Sequence, residues 1–222
     1  MHTPFIVSLT TIPSRFKGLS NLAWHLANQS IQPIAYEINI PVKYRNPNFK
    51  AFDTSQIPEF FNINEIDTDW GPGSKIIPTV ERYMNEDIPI IYIDDDRLYD
   101  RHLFRRLLRE SELAPNACIA ASTVSVTRQL KEAYWRTKPT LYRTLRLASC
   151  GLWNPKRQHD RSPFRIAEGY AGVLVKPSFF DRSLDEYPEH LRNVDDVWIS
   201  ACLTKNRVAI KKCETFSHQM NW

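Results

Sequence analysis

The apolar residues of this chain follow two patterns, short continuous or alternating runs and longer stretches with helical spacing. A short run bounded by turn-forming residues is typical of a buried strand, whereas apolar residues that recur every three or four positions indicate an amphipathic helix. Helical stretches separate several of the short runs. The sequence predicts strands at residues 5–9, 36–40, 61–66, 89–93, 118–121 and 172–175.

Four amphipathic stretches are predicted to form helices. The second follows a tight turn in which Ser74 can cap the helix, and Pro78 lies in its first turn, where proline is tolerated. Strands that alternate with helices predict an α/β fold with a mostly parallel, twisted central sheet flanked by helices. Ligands of such sheets bind at the carboxyl ends of the strands. The predicted helices lie at residues 19–30, 76–83, 103–108 and 197–202.

The length of 222 residues is sufficient for one well-packed domain, and we expect residues 1–222 to form it, with an irregular region at 127–165. The sequence has no apolar run that could span a bilayer and no basic leader followed by one, so we expect a complete cytoplasmic protein. None of its four cysteines forms a CxxC pair. Reduced buried thiols are therefore expected rather than a zinc site or a disulfide framework.

Charge is unevenly distributed along the chain, whose net charge is +4. Residues 101–165, the basic segment, hold 14 Lys and Arg against 4 Asp and Glu, whereas residues 1–100 hold 8 against 13. This asymmetry indicates either an anionic partner or a solvated basic helix face. The sequence has no recognised nucleic-acid motif, so a nucleic-acid partner is not predicted.

Three consecutive carboxylates, Asp94, Asp95 and Asp96 (the Asp triplet), directly follow the predicted strand at residues 89–93. Adjacent carboxylates repel one another unless a cation or hydrogen-bond donors neutralise them. The ligands that suit them best are a hard divalent ion, Mn²⁺ or Mg²⁺, and the phosphates that such an ion carries. Because a diphosphate-bound ion takes only one or two protein carboxylates, the triplet can contact both the metal and a sugar or ribose.

A second carboxylate site, Asp195 and Asp196 (the Asp pair), lies at the start of the last predicted helix. The pair can cap the helix, or one of its members can act as a general base. The small residues at 169–172 form either an ordinary turn or a surface that a substrate can approach closely. Arg15 and Lys75 lie in loops at the carboxyl edge of the sheet, where they are phosphate contacts or plain surface cations.

These residues, taken in order, resemble a GT-A-fold glycosyltransferase. The order is an Arg-containing loop after the first strand, Gly-Pro-Gly-Ser-Lys, Ile-Asp-Asp-Asp, Glu-Gly-Tyr-Ala-Gly-Val, Asp-Asp-Val-Trp and a late histidine, His218. Within that fold, the sequence is most similar to the β-1,3-galactosyl/N-acetylglucosaminyl and Fringe-type transferases. Here Asp-Asp-Val replaces the family's Glu-Asp-Val. The signal anchor and the paired cysteines of its Golgi members are missing, which indicates a bacterial or viral-style enzyme.

The resemblance implies a role for each candidate residue. Asp94 would face the sugar or ribose of the donor, and Asp96, with Asp94 and His218, would bind Mn²⁺. Asp196 would be the base, with Asp195 as the alternative. The remaining donor-side candidates are Arg15 and Lys75, which would contact the diphosphate, together with Asp95 and Thr10.

The expected activity is a metal-dependent, inverting transfer of a hexosyl or N-acetylhexosaminyl group from a UDP-sugar to a hydroxyl of a glycan or lipid-linked acceptor, as in polysaccharide biosynthesis. Residues 1–100 would bind the nucleotide-sugar donor and residues 101–222 the acceptor. The basic segment would contact an anionic membrane surface at the inner face of the membrane. Two alternatives remain, namely another metal-dependent phosphate chemistry (a nucleotidyltransferase or a phosphohydrolase) and a non-catalytic sugar-binding domain.

Overall fold

The computed structural model describes residues 3–49, 53–127, 164–181, 184–189 and 194–214. Its helices are α1 Leu19–Ala27, α2 Ile77–Arg82, α3 Leu103–Leu113 and α4 Asp195–Lys205. Its short 3-10 helices include Pro13–Gly18 and Gly71–Lys75, which precede α1 and α2, and Gly169–Ala171. The strands are β1 Ile6–Thr10, β2 Ala35–Pro41, β3 Asn62–Ile66, β4 Ile90–Tyr92, β5 Ala117–Ala120, β6 Thr123–Ser125, β7 Arg165–Ala167, β8 Val173–Val175 and β9 Ala209–Lys212.

Seven strands form a central sheet in the order β3-β2-β1-β4-β8-β5-β9. Every neighbouring pair is parallel except those that include β8, which is antiparallel to both β4 and β5. The predicted mostly parallel α/β sheet is therefore confirmed. Because β8 is reversed, its first residue, Val173, lies beside Tyr92 at the end of β4. The turn before β8 is thus brought to the sheet edge that carries the Asp triplet.

The core lies on both faces of the sheet, since successive residues of a strand point to opposite sides. Val7 packs on one face with residues of α1 and α3, among them Phe104. Its neighbour Ile6 packs on the other face with residues of α2 and α4, among them Ile77 and Leu203. Complete burial of such an aliphatic side chain stabilises a fold by about 1.5–3 kcal/mol. These two layers of helices fix the ends of the strands that carry the candidate site.

The entry to α2 differs from the sequence prediction. Ile76, not Ser74, is at the N-cap position, and it makes no side-chain capping bond. A 3-10 helix, Gly71–Lys75, occupies the preceding turn, and the buried Ser74 hydroxyl accepts a hydrogen bond from the backbone N–H of Trp70 within it. The prediction for Pro78 is confirmed, because this residue lies at the second position of α2.

The prediction of buried thiols is confirmed for the described cysteines, since Cys118, Cys202 and Cys213 are buried thiols. Cys150 lies outside the described residues. The third helix, α3, exposes Arg105 and Arg109 on its outer side. The pairing of β6 with β7 in a small separate sheet was not predicted. None of the described helices has the length and apolar character required to cross a membrane.

Candidate active site

The Asp triplet begins two residues after the end of β4, where the backbone turns away from the sheet. Tyr99 fixes this turn, because its hydroxyl accepts a hydrogen bond from the N–H of Asp94 (2.9 Å) and donates one to the carbonyl of Asp94 (3.0 Å). The three carboxylates then diverge, and each contacts a different set of cations. The repulsion expected from adjacent carboxylates is relieved in this way by neighbouring basic side chains.

Asp94 pairs with Lys75. The Lys75 ammonium lies 2.6 Å from Oδ1 of Asp94, and its side chain is only 3% exposed. Lys75 enters the site from the 3-10 helix before α2, so the ion pair connects the end of β4 with the start of that helix. The sequence predicted Lys75 at this sheet edge, and the structure places it there, although buried against carboxylates. Its contact with a diphosphate stays a prediction.

Asp95 and Asp96 both contact Arg15. The Nη1 atom of Arg15 donates to Oδ1 of Asp95 at 2.6 Å, and Nη2 lies 3.3 Å from Oδ2 of Asp96. The Thr11 hydroxyl donates to the second oxygen of Asp95. Asp95 is therefore buried and fully engaged, whereas Asp96, with a side chain 48% exposed, is the carboxylate of the triplet that is most accessible to a ligand.

The Asp pair faces the triplet from the first turn of α4. Oδ2 of Asp195 lies 2.8 Å from the Lys75 ammonium, and Oδ1 of Asp196 lies 4.0 Å from it. Asp196 also accepts a hydrogen bond from the backbone N–H of Gly169 at 3.0 Å. Both carboxylates are thus directed at Lys75 and the turn before β8, where their negative charge is also favoured by the N-terminus of the helix.

Gly169 is the point at which the turn before β8 contacts this cluster. A Cβ atom at this position would lie 2.6 Å from the Lys75 ammonium and 2.8 Å from Oδ1 of Asp196. No side chain fits there without displacing one of those groups. In the same turn, Gly172 has a φ of 96°, a conformation that favours glycine. The small residues of the predicted loop therefore allow close packing within the protein.

Burial and neighbouring charges shift the pKa values of Asp196, Lys75 and Asp95. Burial, together with the charge of Asp195, raises the pKa of Asp196 to about 7. Burial acts to lower the pKa of Lys75, but the neighbouring charges of Asp195, Asp94 and Asp196 outweigh it and raise the pKa above its ordinary value. Burial also raises the pKa of Asp95, against the opposing hydrogen bond from Thr11 and the charge of Arg15. Lys75 is therefore a permanent cation, whereas Asp196 exchanges a proton near neutral pH.

A buried polar network holds the backbone around Lys75. The Ser8 hydroxyl donates to the Lys75 carbonyl at 2.7 Å, and the Asn39 side-chain amide donates to the Ser74 carbonyl at 2.9 Å. Both side chains are buried in the sheet, on β1 and β2. The position of Lys75 is consequently set by the sheet itself.

Of the other predicted site residues, Thr10 does not contact the cluster through its hydroxyl. The Thr10 hydroxyl donates to the Asn39 carbonyl at 2.7 Å and so joins β1 to β2, while its neighbour Thr11 contacts the Asp triplet. His218 lies outside the described residues. Sequence reasoning missed both Thr11 and Tyr99. Thr10 ends β1 and Thr11 follows it, and side chains alternate in direction along a strand. Which of the two contacts the Asp triplet can therefore be decided only once the register of the strand is known.

The residues present fit a divalent ion only in part. The described residues contain no group of three or more His, Cys, Asp or Glu side chains that could hold a metal. However, an ion carried by a diphosphate needs only one or two protein carboxylates. Asp96 can provide one, because its side chain is 48% exposed and lies 3.3 Å from Arg15, whereas Asp94 and Asp95 form closer ion pairs, at 2.6 Å, with Lys75 and Arg15.

Comparisons with known proteins identify the fold. No protein-family model matches the sequence, and a comparison with curated proteins found no match. Among solved structures, the chain is similar to S. aureus TarS 1-349 in complex with UDP, with a TM-score of 0.52 at 12% identity. TarS is a GT-A-type glycosyltransferase. This chain has a GT-A-like α/β fold.

The similarity covers nearly all of this chain but only part of the TarS chains. The match covers 94% of this chain but 58% of TarS 1-349. A second structure of S. aureus TarS matches with a TM-score of 0.52 at 12% identity, over 96% of this chain and 35% of that one. The chain therefore spans less than two thirds of these proteins. The resemblance to the β-1,3 and Fringe-type transferases stays a prediction.

Proposed function

We propose that this protein is a glycosyltransferase that moves a sugar from a UDP-sugar to a hydroxyl group of a glycan or a lipid-linked acceptor. The observation that carries the proposal is the convergence of Asp94, from the Asp triplet, and the Asp pair on Lys75, at the carboxyl edge of a GT-A sheet. This edge is where α/β sheets bind ligands. The similarity to a TarS structure in complex with UDP supports UDP as the nucleotide of the donor.

The donor would lie along the Asp triplet. Asp96 would hold a Mn²⁺ or Mg²⁺ ion together with the phosphates of the donor, and His218 is a further expected ligand. When bound, such an ion stabilises the negative charge that develops on the departing diphosphate. Arg15, whose side chain is 48% exposed, would contact the diphosphate from the same side.

The acceptor would be activated by Asp196. Its pKa of about 7 suits a general base, because a base is most efficient when its pKa lies near the working pH. Asp196 would take the proton of the acceptor hydroxyl while the oxygen attacks the anomeric carbon. The new carbon–oxygen bond forms as the bond to the diphosphate breaks, and in-line attack inverts the anomeric centre. Asp195 is the alternative base.

The acceptor side of the proposed site has an aromatic surface. Tyr170, directly after Gly169, is partly exposed, and the Arg97 guanidinium lies 5.2 Å from the centre of its ring. Arg97 follows the Asp triplet in sequence, so this contact brings the triplet loop beside the turn before β8. An exposed aromatic ring beside the base is a suitable surface for a sugar acceptor.

A product assay tests the proposal. The purified protein is incubated with UDP-sugars and Mn²⁺, Mg²⁺ or EDTA, and released UDP, pyrophosphate and phosphate are measured separately. A glycosyltransferase releases UDP in a metal-dependent manner. Release of phosphate or pyrophosphate instead would support a phosphohydrolase or a nucleotidyltransferase, and donor binding without any turnover would support a non-catalytic sugar-binding domain.

Membrane contact is a separate part of the proposal. The described portion of the basic segment exposes Arg101, Arg105 and Arg109, which supports contact with an anionic membrane bearing the acceptor. Co-sedimentation with vesicles that contain anionic lipid should decrease as salt increases. Equal recovery with neutral and anionic vesicles would argue against this contact.

A further inference from the structure

We propose that Lys75 is a positioning residue of the active site, which neutralises Asp195 and holds it against Asp94 so that Asp196 alone accepts the proton of the acceptor. This inference rests on the proposed function. It assigns Lys75 a role different from the diphosphate contact that the family resemblance implies, and it distinguishes between the two members of the Asp pair.

The Lys75 ammonium has carboxylate partners on both sides of the site. It lies 2.6 Å from Asp94 and 2.8 Å from Asp195, within hydrogen-bond distance of one carboxylate from each side of the site. The face of the Tyr92 ring closes a further side, with its centre 5.7 Å from the ammonium. The charge of Lys75 is therefore directed at protein groups on the donor side and the acceptor side together.

Lys75 has little freedom to reach a ligand. Its side chain is 3% exposed, and the backbone of Gly169 closes over it so tightly that a Cβ atom there would lie 2.6 Å from the ammonium. Hydrogen bonds from Ser8 and Asn39 fix the carbonyls of Lys75 and Ser74. A cation that binds a diphosphate has to meet it at a surface, and Arg15 is the exposed candidate for that role.

The two members of the Asp pair differ in their distance from Lys75 and in their exposure. Asp195 forms the close ion pair, and its side chain is 11% exposed. Asp196 lies at 4.0 Å from the same ammonium, accepts the Gly169 N–H, and has a side chain that is 26% exposed. A carboxylate in a close ion pair is a weak base because the cation stabilises its charged form. Asp196 is both the less neutralised and the more accessible member.

The test compares Lys75→Met with Lys205→Met, a control on the exposed far end of α4. UDP affinity is measured by calorimetry, and kcat and KM are measured in the product assay. Lys75→Met should lower kcat by about 100-fold or more, which is the lower end of what a general base contributes. The Kd for UDP should stay within about threefold of the wild-type value. Lys205→Met should match wild type. A rise of about tenfold or more in the Kd for UDP would identify Lys75 as a diphosphate ligand and overturn the proposal.

A second variant separates charge neutralisation from folding. Lys75→Met leaves both Asp94 and Asp195 without their shared cation, whereas Lys75→Met combined with Asp195→Asn also removes one of these two carboxylate charges. The double variant should be more active than Lys75→Met alone, because the two residues act as one unit. If the losses simply multiply, the proposal fails.

Two further outcomes are also decisive. If Lys75→Met does not fold, the double variant is tested for UDP affinity, where a value within about threefold of wild type supports the proposal and a loss of about tenfold overturns it. Absence of transfer by the wild-type protein in the same assay would instead refute the proposed function itself. The two failures are therefore distinguishable.

Discussion

The charged groups of Asp196 and Lys75 lie 4.0 Å apart, and the pKa of each is raised, but only the pKa of Asp196 lies near neutral pH. Lys75 is surrounded by carboxylates, so its positive charge is retained throughout the accessible pH range. Asp196 shares that environment with a second carboxylate, and burial together with that neighbour raises its pKa to about 7. The sequence alone indicated two carboxylate sites, but the raised pKa of Asp196 depends on burial and on distances that only the fold determines.

The raised pKa of Asp196 predicts how the rate depends on pH. A general base must be deprotonated, so kcat/KM should rise as pH increases through about 7 and level off above it. This can be measured as a pH–rate profile between about pH 5 and about pH 9, with wild-type protein and Asp196→Asn. A wild-type profile without an inflection near neutral pH would contradict the assignment of the base.

The two carboxylate sites should also differ in their response to substitution. Asp96→Ala and Asp196→Ala should each lower kcat by about 100-fold or more, because each removes a group required in the transition state. Only Asp96→Ala should weaken the metal-dependent binding of UDP, since Asp96 is the exposed member of the triplet. Calorimetric titration with UDP in the presence of Mn²⁺ checks this. Near-normal turnover of Asp196→Ala would show that Asp196 is not the base.

At the scale of elements, the site depends on the turn between β7 and β8. The strands at its two sides were predictable in part, because buried strands such as β8 consist of continuous apolar residues. The direction of β8 was not, since Val-Leu-Val pairs equally well in either orientation. Likewise, Ser74 has the residue type of a helix cap, but the hydroxyl is used within the preceding 3-10 turn. Local patterns identify elements, whereas tertiary pairing decides their orientation and their ends.

The close approach of this turn to Lys75 can be tested with one methyl group. Gly169→Ala should displace the Lys75 ammonium or Asp196, and we expect a loss of about 1–3 kcal/mol in the free energy of unfolding, typical of overpacking. The value of kcat should fall as well. Gly18→Ala is the matched control, because among the described residues, apart from its chain neighbours, no atom lies within 4 Å of a Cβ at Gly18. Urea unfolding and the product assay should separate the two variants, and identical behaviour would contradict the packing described.

At the scale of the whole molecule, the sequence predicted the α/β sheet correctly, since the alternation of strands and helices carries that information. The sequence also predicted that Arg15, Lys75 and the Asp triplet lie at one edge of the sheet, because the carboxyl ends of parallel strands meet there. It could not show that Lys75 lies within one cluster with the Asp pair, about 120 positions further along the chain. Such long-range ion pairs have no signature in local composition.

Ligand binding should stabilise the whole fold. UDP with Mn²⁺ should raise the melting temperature, because a ligand that binds only the folded state adds about 2.7 kcal/mol at about 100 times its Kd. Thermal unfolding with UDP alone, Mn²⁺ alone, both together, and both with EDTA checks the expectation. The shift should require both components and disappear with EDTA. An equal shift with UDP alone would contradict a metal-dependent donor site.

The ion pairs of Lys75 also have a consequence for folding. They join the loop after β4 to the start of α4, parts of the chain that are made far apart in time during synthesis. Contacts of such high sequence separation form slowly, because a long loop has to close before they are made. Until α4 docks, Lys75 pairs with Asp94 alone, and the Asp pair is missing from the site. Catalytic competence should therefore arise as one of the last events of folding, after the sheet from β1 to β4 has assembled.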